Sequence, residues 1–122
     1  MKVRSVYFSL TLVAVIIVGV VLGCSGTQNA CVATVEYGGT TFEGKGSSAG
    51  ESKSNACNNY CRDADPQFDS RYRVWVTSPK GIAAGSPSKK ESIFKDPELM
   101  KFVTETCSRV CVADMKPTST CK

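Results

Sequence analysis

The side chains that could carry chemistry in this chain are its cysteines. The 122-residue sequence has seven cysteines and no histidine. The cysteines occupy positions 24, 31, 57, 61, 107, 111 and 121. In an oxidising compartment such residues pair as disulfides, whereas free thiolates bind soft metals or take part in thiol exchange. Setting Cys24 aside leaves an even six, which predicts three disulfides.

The spacing of the cysteines reduces the number of disulfide pairings to consider. Four of them form two C-x3-C motifs, Cys57 with Cys61 and Cys107 with Cys111. Residues four apart on a helix project from the same face, so two antiparallel helices can be joined twice. This favours three disulfides, which are Cys57 with Cys111, Cys61 with Cys107, and Cys31 with Cys121. The twin motif is similar to that of disulfide-stapled helical hairpins.

The same four cysteines leave a second interpretation open, in which they act as thiolates. Four sulfur ligands suit zinc or an iron–sulfur cluster, and a reactive pair suits thiol redox chemistry. Metal ligands come more often at C-x2-C spacing, and reactive thiolates are normally found at helix starts. We therefore expect structural disulfides, no bound metal and no cofactor. The alternative is an envelope thiol-redox or thiolate metal-binding protein.

The N-terminus has the pattern of an export signal. Two basic residues precede a charge-free and mostly apolar run over 7–22. The sequence Val21-Leu22-Gly23-Cys24 that follows resembles the lipobox of bacterial lipoproteins. The resemblance implies cleavage before Cys24 and acylation of its thiol and new amino group with fatty acids such as palmitate. The chain is thereby divided into a signal peptide (1–23), a lipidated cysteine with its tether (24–30) and a single domain (31–122).

Two other fates of the N-terminus remain open. The run over 6–23 is just long enough to stay as an uncleaved membrane anchor, and cleavage after Ala30 would release a soluble secreted form. All three outcomes deliver the domain outside the cytoplasm, in the cell envelope. Ser25, directly after the modified cysteine, is compatible with outer-membrane delivery in some bacteria. Without the basic residues of the signal the domain is close to neutral, so its charge requires no nucleic-acid partner.

Alternation of apolar residues predicts three strands in the domain. The first two, over 31–37 and 40–45, form a hairpin joined by Gly38-Gly39, which supplies the backbone freedom of a tight turn. A third strand is expected over 71–77, where apolar residues occupy every second position. The stretch 78–91 is rich in Pro, Gly, Ser and Lys, and we expect an exposed loop there.

Two helices are expected to carry the C-x3-C motifs. Asp96 can cap the second helix and Pro97 suits its first turn, which predicts a helix over 97–113. Ser48 and Glu51 have the spacing of a capping box for the first helix. The predicted order of elements is ββαβα. This is an α+β fold, a small disulfide-rich domain whose three-stranded antiparallel sheet carries two disulfide-linked helices on one face.

The lack of histidine excludes several catalytic classes for this chain alone. Ser-His and Cys-His nucleophiles, histidine-bound zinc and c-type haem attachment all need that residue. S-x-x-K matches at Ser86 and Ser92 lack the companion motifs of penicillin-interacting enzymes, and the glycines over 39–45 suit a hairpin better than a phosphate-binding loop. The segment 35–56 is similar to part of a double-stranded RNA-binding domain, but its helix carries only Lys53. We expect no enzyme activity, no catalytic residue and no nucleic-acid ligand.

One predicted surface could serve recognition. On the third predicted strand, Arg71, Arg73 and Trp75 share the side opposite to the core, and arginine and tryptophan are frequent in binding hot spots. Alternatively, the loop over 78–91 covers Trp75, or Trp75 stacks on Arg73. The sequence thus predicts a non-enzymatic envelope lipoprotein. It would contact the membrane through lipid and act as a binding or structural module towards a protein or cell-wall partner.

Overall fold

The computed structural model describes residues 30–122, so Cys24 and the signal lie outside the described residues. Its elements are β1 (Cys31–Tyr37), β2 (Thr40–Gly46), α1 (Ala49–Asp63), α2 (Pro66–Val76), α3 (Pro79–Ala83), α4 (Lys89–Ser92), α5 (Pro97–Lys101), a π-helical segment (Phe102–Cys107), α6 (Ser108–Met115) and β3 (Thr118–Cys121). The α+β prediction is confirmed, with a three-stranded antiparallel sheet packed against helices. Within this described part, none of the helices has the length and apolar character needed to span a bilayer.

Strand β1 is the centre of the sheet, whose order is β2-β1-β3 with both neighbours antiparallel. The predicted hairpin is confirmed. Gly38 and Gly39 have positive φ angles of 56° and 80°, the backbone conformation that lets a two-residue turn follow the twist of the strands. Every second residue of β1 from Cys31 to Val35 is buried, so one face of the strand supports the helices.

Helix α1 packs directly on β2. The hydroxyl of Ser48 accepts the backbone N–H of Glu51 at the start of the helix, as predicted. The Glu51 carboxylate reaches one residue further back than a capping box requires and accepts the N–H of Ser47. Further along, the Asn55 and Asn59 side-chain amides donate to carbonyl oxygens of β2, both at 2.7 Å. These bonds fix the helix against the sheet and satisfy backbone groups that have no strand partner.

The predicted third strand over 71–77 is wrong, because this segment belongs to α2. Asp65 caps the helix by accepting the N–H of Phe68 at 2.8 Å, and a proline stands in its first turn. Phe68, Tyr72 and Trp75 then fall on one helical face, which is turned towards the core. Capping and this longer apolar period outweigh the local alternation that favoured a strand.

The third strand of the sheet is β3, at the end of the chain, so the observed order of elements is not ββαβα. It pairs with the first half of β1, and Cys31 lies opposite Cys121 in the register. The stretch 78–91 is also more ordered than expected, because α3 and the start of α4 lie in it. Both short helices begin at serines, Ser78 and Ser88, whose side chains accept backbone N–H groups.

The helix predicted over 97–113 is confirmed as a helical run from Pro97 to Met115 that changes type in its middle. The N–H of Ser108 bonds to the carbonyl of Val103, five residues earlier, which is the π-helical pattern. The Thr104 hydroxyl donates to the Met100 carbonyl, a bond that competes for backbone acceptors of the helix. The run resumes as α6 and carries the second C-x3-C motif against α1.

Candidate functional site

The six cysteines of the described domain form three disulfides. The pairs are Cys31–Cys121, Cys57–Cys111 and Cys61–Cys107, those that the spacing predicts. Two of them join α1 to the helical run that contains the π segment and α6, and Cys57 and Cys61 are fully buried. Buried and paired sulfurs of this kind are structural, so the thiolate alternative would require their reduction.

The predicted recognition surface of Arg71, Arg73 and Trp75 is not a single surface. On a helix, residues two apart point in different directions, and Trp75 is only 9% exposed. Arg73 is exposed and pairs with Asp69 at 2.8 Å on the outside of α2. Arg71 instead lies over the ring of Phe102, with its guanidinium carbon 4.3 Å from the ring centre. Arg71 and Trp75 do line one groove beside α5, from which Arg73 is excluded.

Trp75 is held in place by Asp96, the cap of α5. Its indole N–H donates to one carboxylate oxygen at 2.8 Å, while the other oxygen accepts backbone N–H groups of Glu98 and Leu99. Burial alone would raise the pKa of Asp96. These hydrogen bonds, together with the charge of Lys80, outweigh burial and hold the pKa below its ordinary value.

Substitution of Asp96 by asparagine tests this arrangement. Asn caps helices well, so Asp96→Asn keeps the backbone bonds but turns an N–H donor towards the indole of Trp75. We expect a loss of about 1 to 3 kcal/mol in the free energy of unfolding at neutral pH, measured by denaturant titration. The stabilisation by ionised Asp96 is present above the unfolded-state pKa and disappears as the pH falls through the lower folded-state pKa. A difference from wild type that stays constant down to acid pH would contradict this account.

A different cleft, of about 290 Å³, opens where the end of β1 meets α1, the start of α2 and the last helical run. We call it the aromatic cleft. Its apolar walls consist of Tyr37, Tyr60, Phe102, Val110 and Met115. A concave apolar site with a few polar groups is the usual form of a ligand-binding site.

Two tyrosines form one wall of the aromatic cleft. The ring centres of Tyr37 and Tyr60 are 5.0 Å apart with an angle of 60° between their planes. Phe42 packs against Tyr60 in an edge-to-face arrangement, with 5.8 Å between the two ring centres. Tyr60 is nearly buried, whereas Tyr37, the last residue of β1, is 42% exposed. Tyr60 therefore forms the buried base of this wall, and Tyr37 forms its accessible rim.

The opposite wall comes from the π segment and α6. Its residues recur every four positions, at Phe102, Thr106, Val110 and Asp114. In an α-helix such residues drift around the axis by about 40° per step, because one turn holds 3.6 residues. The wider turn of the π segment offsets this drift and keeps the four side chains on one face. π-helical turns of this kind are often found at functional sites.

The polar lining of the aromatic cleft is acidic. It includes the carboxylates of Asp65 and Asp114, with Gln67 and Thr106 as neutral polar groups, and within the described domain no lysine or arginine lines it. Neither carboxylate takes part in an ion pair with another described residue. One oxygen of Asp65 caps α2, and its charge still faces the tyrosines. The site therefore favours a positively charged ligand.

Burial raises the pKa of the Tyr60 phenol, and the negative charge of Asp65 raises it further. The phenol thus remains neutral at physiological pH. We expect ultraviolet titration, with Tyr60→Phe as the difference reference, to show a tyrosine that ionises above its ordinary range. Asp65→Asn should bring this pKa down while keeping the cap. Stability should fall as the pH rises past the ordinary tyrosine pKa, because the unfolded chain releases the proton first. An unshifted Tyr60 would contradict the burial of its hydroxyl.

Apart from the cysteines, no residue of the aromatic cleft stands out as a site residue in the sequence. Tyr37 and Tyr60 fit the apolar faces of their elements, and Asp65 fits a solvated surface. The one local indication is the pair Asp65-Pro66, which marks a helix start next to a cysteine motif. No protein-family model matches the chain, and searches of curated proteins and of solved structures also find no match.

Proposed function

We propose that this protein is a membrane-anchored lipoprotein of the cell envelope and a non-enzymatic binding module that holds its ligand in the aromatic cleft. The observation that carries the proposal is the cleft itself. Its two walls lie on α1 and on the last helical run, and two disulfides join these elements. A site on such rigid supports binds without a large cost of ordering.

The location is supported by two independent features. Three disulfides are typical of an extracytoplasmic protein, because the cytosol keeps thiols reduced. The motif Val21-Leu22-Gly23-Cys24 after an apolar run resembles a lipobox, and acylated Cys24 would supply the anchor. A single acyl chain anchors a protein only weakly, so the multiple acylation that the resemblance implies matters for stable attachment.

Intact mass of the membrane-extracted protein tests the anchor. The chain is expressed with its own signal, extracted with detergent and weighed before and after reduction. We expect a chain that starts at Cys24, carries acyl groups and has no free thiol. Cys24→Ser should retain the signal residues and lose the acyl mass. A reduced protein that keeps Met1 would overturn the proposal, and reversibly titrating thiols would favour the redox or metal alternative.

Site-specific photo-crosslinking tests the cleft. A photoreactive amino acid replaces Val110, which lies at the cleft rim and is 56% exposed. The control position is Phe94, which is 70% exposed and lies outside the cleft. Illumination of intact cells should give a discrete adduct at position 110 and none at position 94. Equal labelling at both positions, or none at position 110, would overturn the aromatic cleft as the binding site.

A further inference from the structure

We propose that the ligand of the aromatic cleft is a lysine or arginine side chain of a partner protein. This inference rests on the proposed function, since it specifies the ligand class of the same site. The partner side chain would enter between the tyrosine wall and the wall formed by the π segment and α6. Its charged end would lie at the two carboxylates.

The first argument is charge. Asp65 and Asp114 both line the cleft, and among the described residues neither is neutralised by an ion pair. The nearby phenol of Tyr60 keeps its proton, so the negative charge of the cleft comes from the two carboxylates. A bound cation would face two carboxylates, of which Asp65 is half-buried and Asp114 is exposed, and both would attract it to this part of the cleft. An anionic partner group would be repelled by them, and a neutral group would gain no attraction between opposite charges.

The second argument is the aromatic lining. Tyr37, Tyr60 and Phe102 present rings to the cleft, and the faces of aromatic rings attract lysine and arginine cations. The chain already uses one of these rings in this way. The guanidinium of Arg71 lies 4.3 Å from the centre of Phe102, although Arg71 does not line the cleft. Phe102 is thus already occupied by Arg71, and the exposed ring of Tyr37 is the one that a second cation from outside would contact.

The third argument separates lysine and arginine from quaternary ammonium groups. Besides the carboxylates, Gln67 and Thr106 add oxygen acceptors to the lining. These groups accept hydrogen bonds from a cation that carries N–H groups, whereas a quaternary ammonium gains only the attraction between opposite charges. Val110 and Met115 match the methylene stem of a lysine or arginine side chain, which buries its carbon atoms while its head stays polar.

The test uses the full-length protein, isotope-labelled and purified in detergent micelles with its disulfides intact. Nuclear magnetic resonance shifts are followed while one of two blocked pentapeptides is added. One has the sequence Gly-Gly-Lys-Gly-Gly, and the other has norleucine in place of lysine. We expect the lysine peptide to shift the amides of Thr106 and Val110 with a Kd of about 1 mM, a weak affinity suited to one side chain. The norleucine peptide should bind at least about tenfold more weakly.

Charge-removing variants complete the test. Asp114→Asn and Asp65→Asn should each raise the Kd of the lysine peptide by about fivefold. Glu105→Gln is the matched control, because Glu105 is exposed on the same π segment outside the cleft. This variant should leave the Kd within about twofold of wild type, since an exposed charge at a distance is screened by salt.

Each outcome bears on a different proposal. Equal binding of the norleucine peptide, or no binding of the lysine peptide, would overturn the cationic ligand. Choline is titrated as a third probe, and binding as tight as that of the lysine peptide would overturn the need for N–H groups. In all these cases a specific adduct at position 110 would still support the binding module. Failure of the crosslink would overturn the proposed function itself, whatever the peptides do.

Discussion

Replacing Cys57 and Cys111 together by alanine is expected to lower the free energy of unfolding by about 3 kcal/mol. Its two cysteines are 54 residues apart in the sequence, but Cys61–Cys107 lies inside this loop and stays closed, so the variant opens a ring of only about ten residues. Without it, the unfolded chain gains the freedom that the cross-link had removed. Domains of this size are stable by about 5 to 15 kcal/mol in total, so the variant would lose a substantial part of its stability. Denaturant unfolding of the oxidised proteins measures the difference.

The disulfide Cys31–Cys121 provides the matched control for this prediction. It spans 90 residues and encloses the other two disulfides, so its loss opens a larger ring and costs about 4 kcal/mol. It lies at the opposite end of β1 from Tyr37, however, and does not line the aromatic cleft. Both double variants should be destabilised, but only loss of Cys57–Cys111 should weaken ligand binding, since Cys61–Cys107 still joins the two walls. An unchanged unfolding midpoint in either variant would contradict the cross-linking role.

Gly44→Ala is expected to destabilise the domain by about 3 kcal/mol or more. Gly44 lies in β2 where α1 crosses it. A β-carbon there would stand 2.0 Å from the backbone nitrogen of Ala56 and 2.5 Å from the carbonyl oxygen of Ser52. Both are backbone atoms that cannot rotate away, so the whole helix would have to move off the sheet. Thermal and denaturant unfolding give the loss directly.

Gly50→Ala is the matched control for Gly44→Ala. Gly50 lies in the first turn of α1, and an added β-carbon there meets no atom within 4 Å. Alanine favours the helix over glycine, so we expect a gain of up to about 1 kcal/mol. The two substitutions are chemically identical and differ only in their surroundings. A Gly44→Ala protein as stable as wild type would show that α1 does not approach β2 this closely.

The parts of the fold that could be predicted have local chemical signatures. Gly38-Gly39 predicts the hairpin, Asp96-Pro97 predicts the start of α5, and the twin C-x3-C motifs predict the interhelix disulfides. The start of α2 at Asp65-Pro66 has the same signature as Asp96-Pro97, yet the alternation over 71–77 favoured a strand. The alternating apolar residues there do not share a buried face, since Val74 is 74% exposed. The helix-capping signature therefore predicted the structure of this segment better than its short alternation of apolar residues did.

Strand β3 could not be predicted from its own residues. Thr118 to Cys121 is a short polar segment without apolar alternation. It becomes a strand because β1 offers it an open edge and Cys31 fixes its position. Lys116, in the left-handed conformation with a φ of 46°, ends α6 and lets the chain turn back. These are contacts between distant parts of the chain, which a local pattern does not encode.

The aromatic cleft could not be predicted from the sequence, for a similar reason. Its walls come from β1, α1, the start of α2 and the last helical run, which only the folded chain brings together. The candidate trio of Arg71, Arg73 and Trp75 depended on a strand that does not exist. A correct helix would have placed Trp75 on the same face as Phe68 and Tyr72, but it would not have revealed the bond to Asp96. Among the candidate residues of the sequence, only the cysteines indicated the part of the fold where the aromatic cleft lies.

The layout of β1 determines how an anchored domain would carry mechanical load. Cys31 marks the end that faces the tether, and Tyr37, at the cleft, lies about 20 Å away at the other end of this seven-residue strand. Tension between the membrane and a bound partner would therefore run along the central strand. The hydrogen bonds to β2 and β3 would be loaded in shear, many at once, rather than peeled apart one after another. Such a domain would stay folded and keep its partner bound while a mechanical force acts on the cell surface.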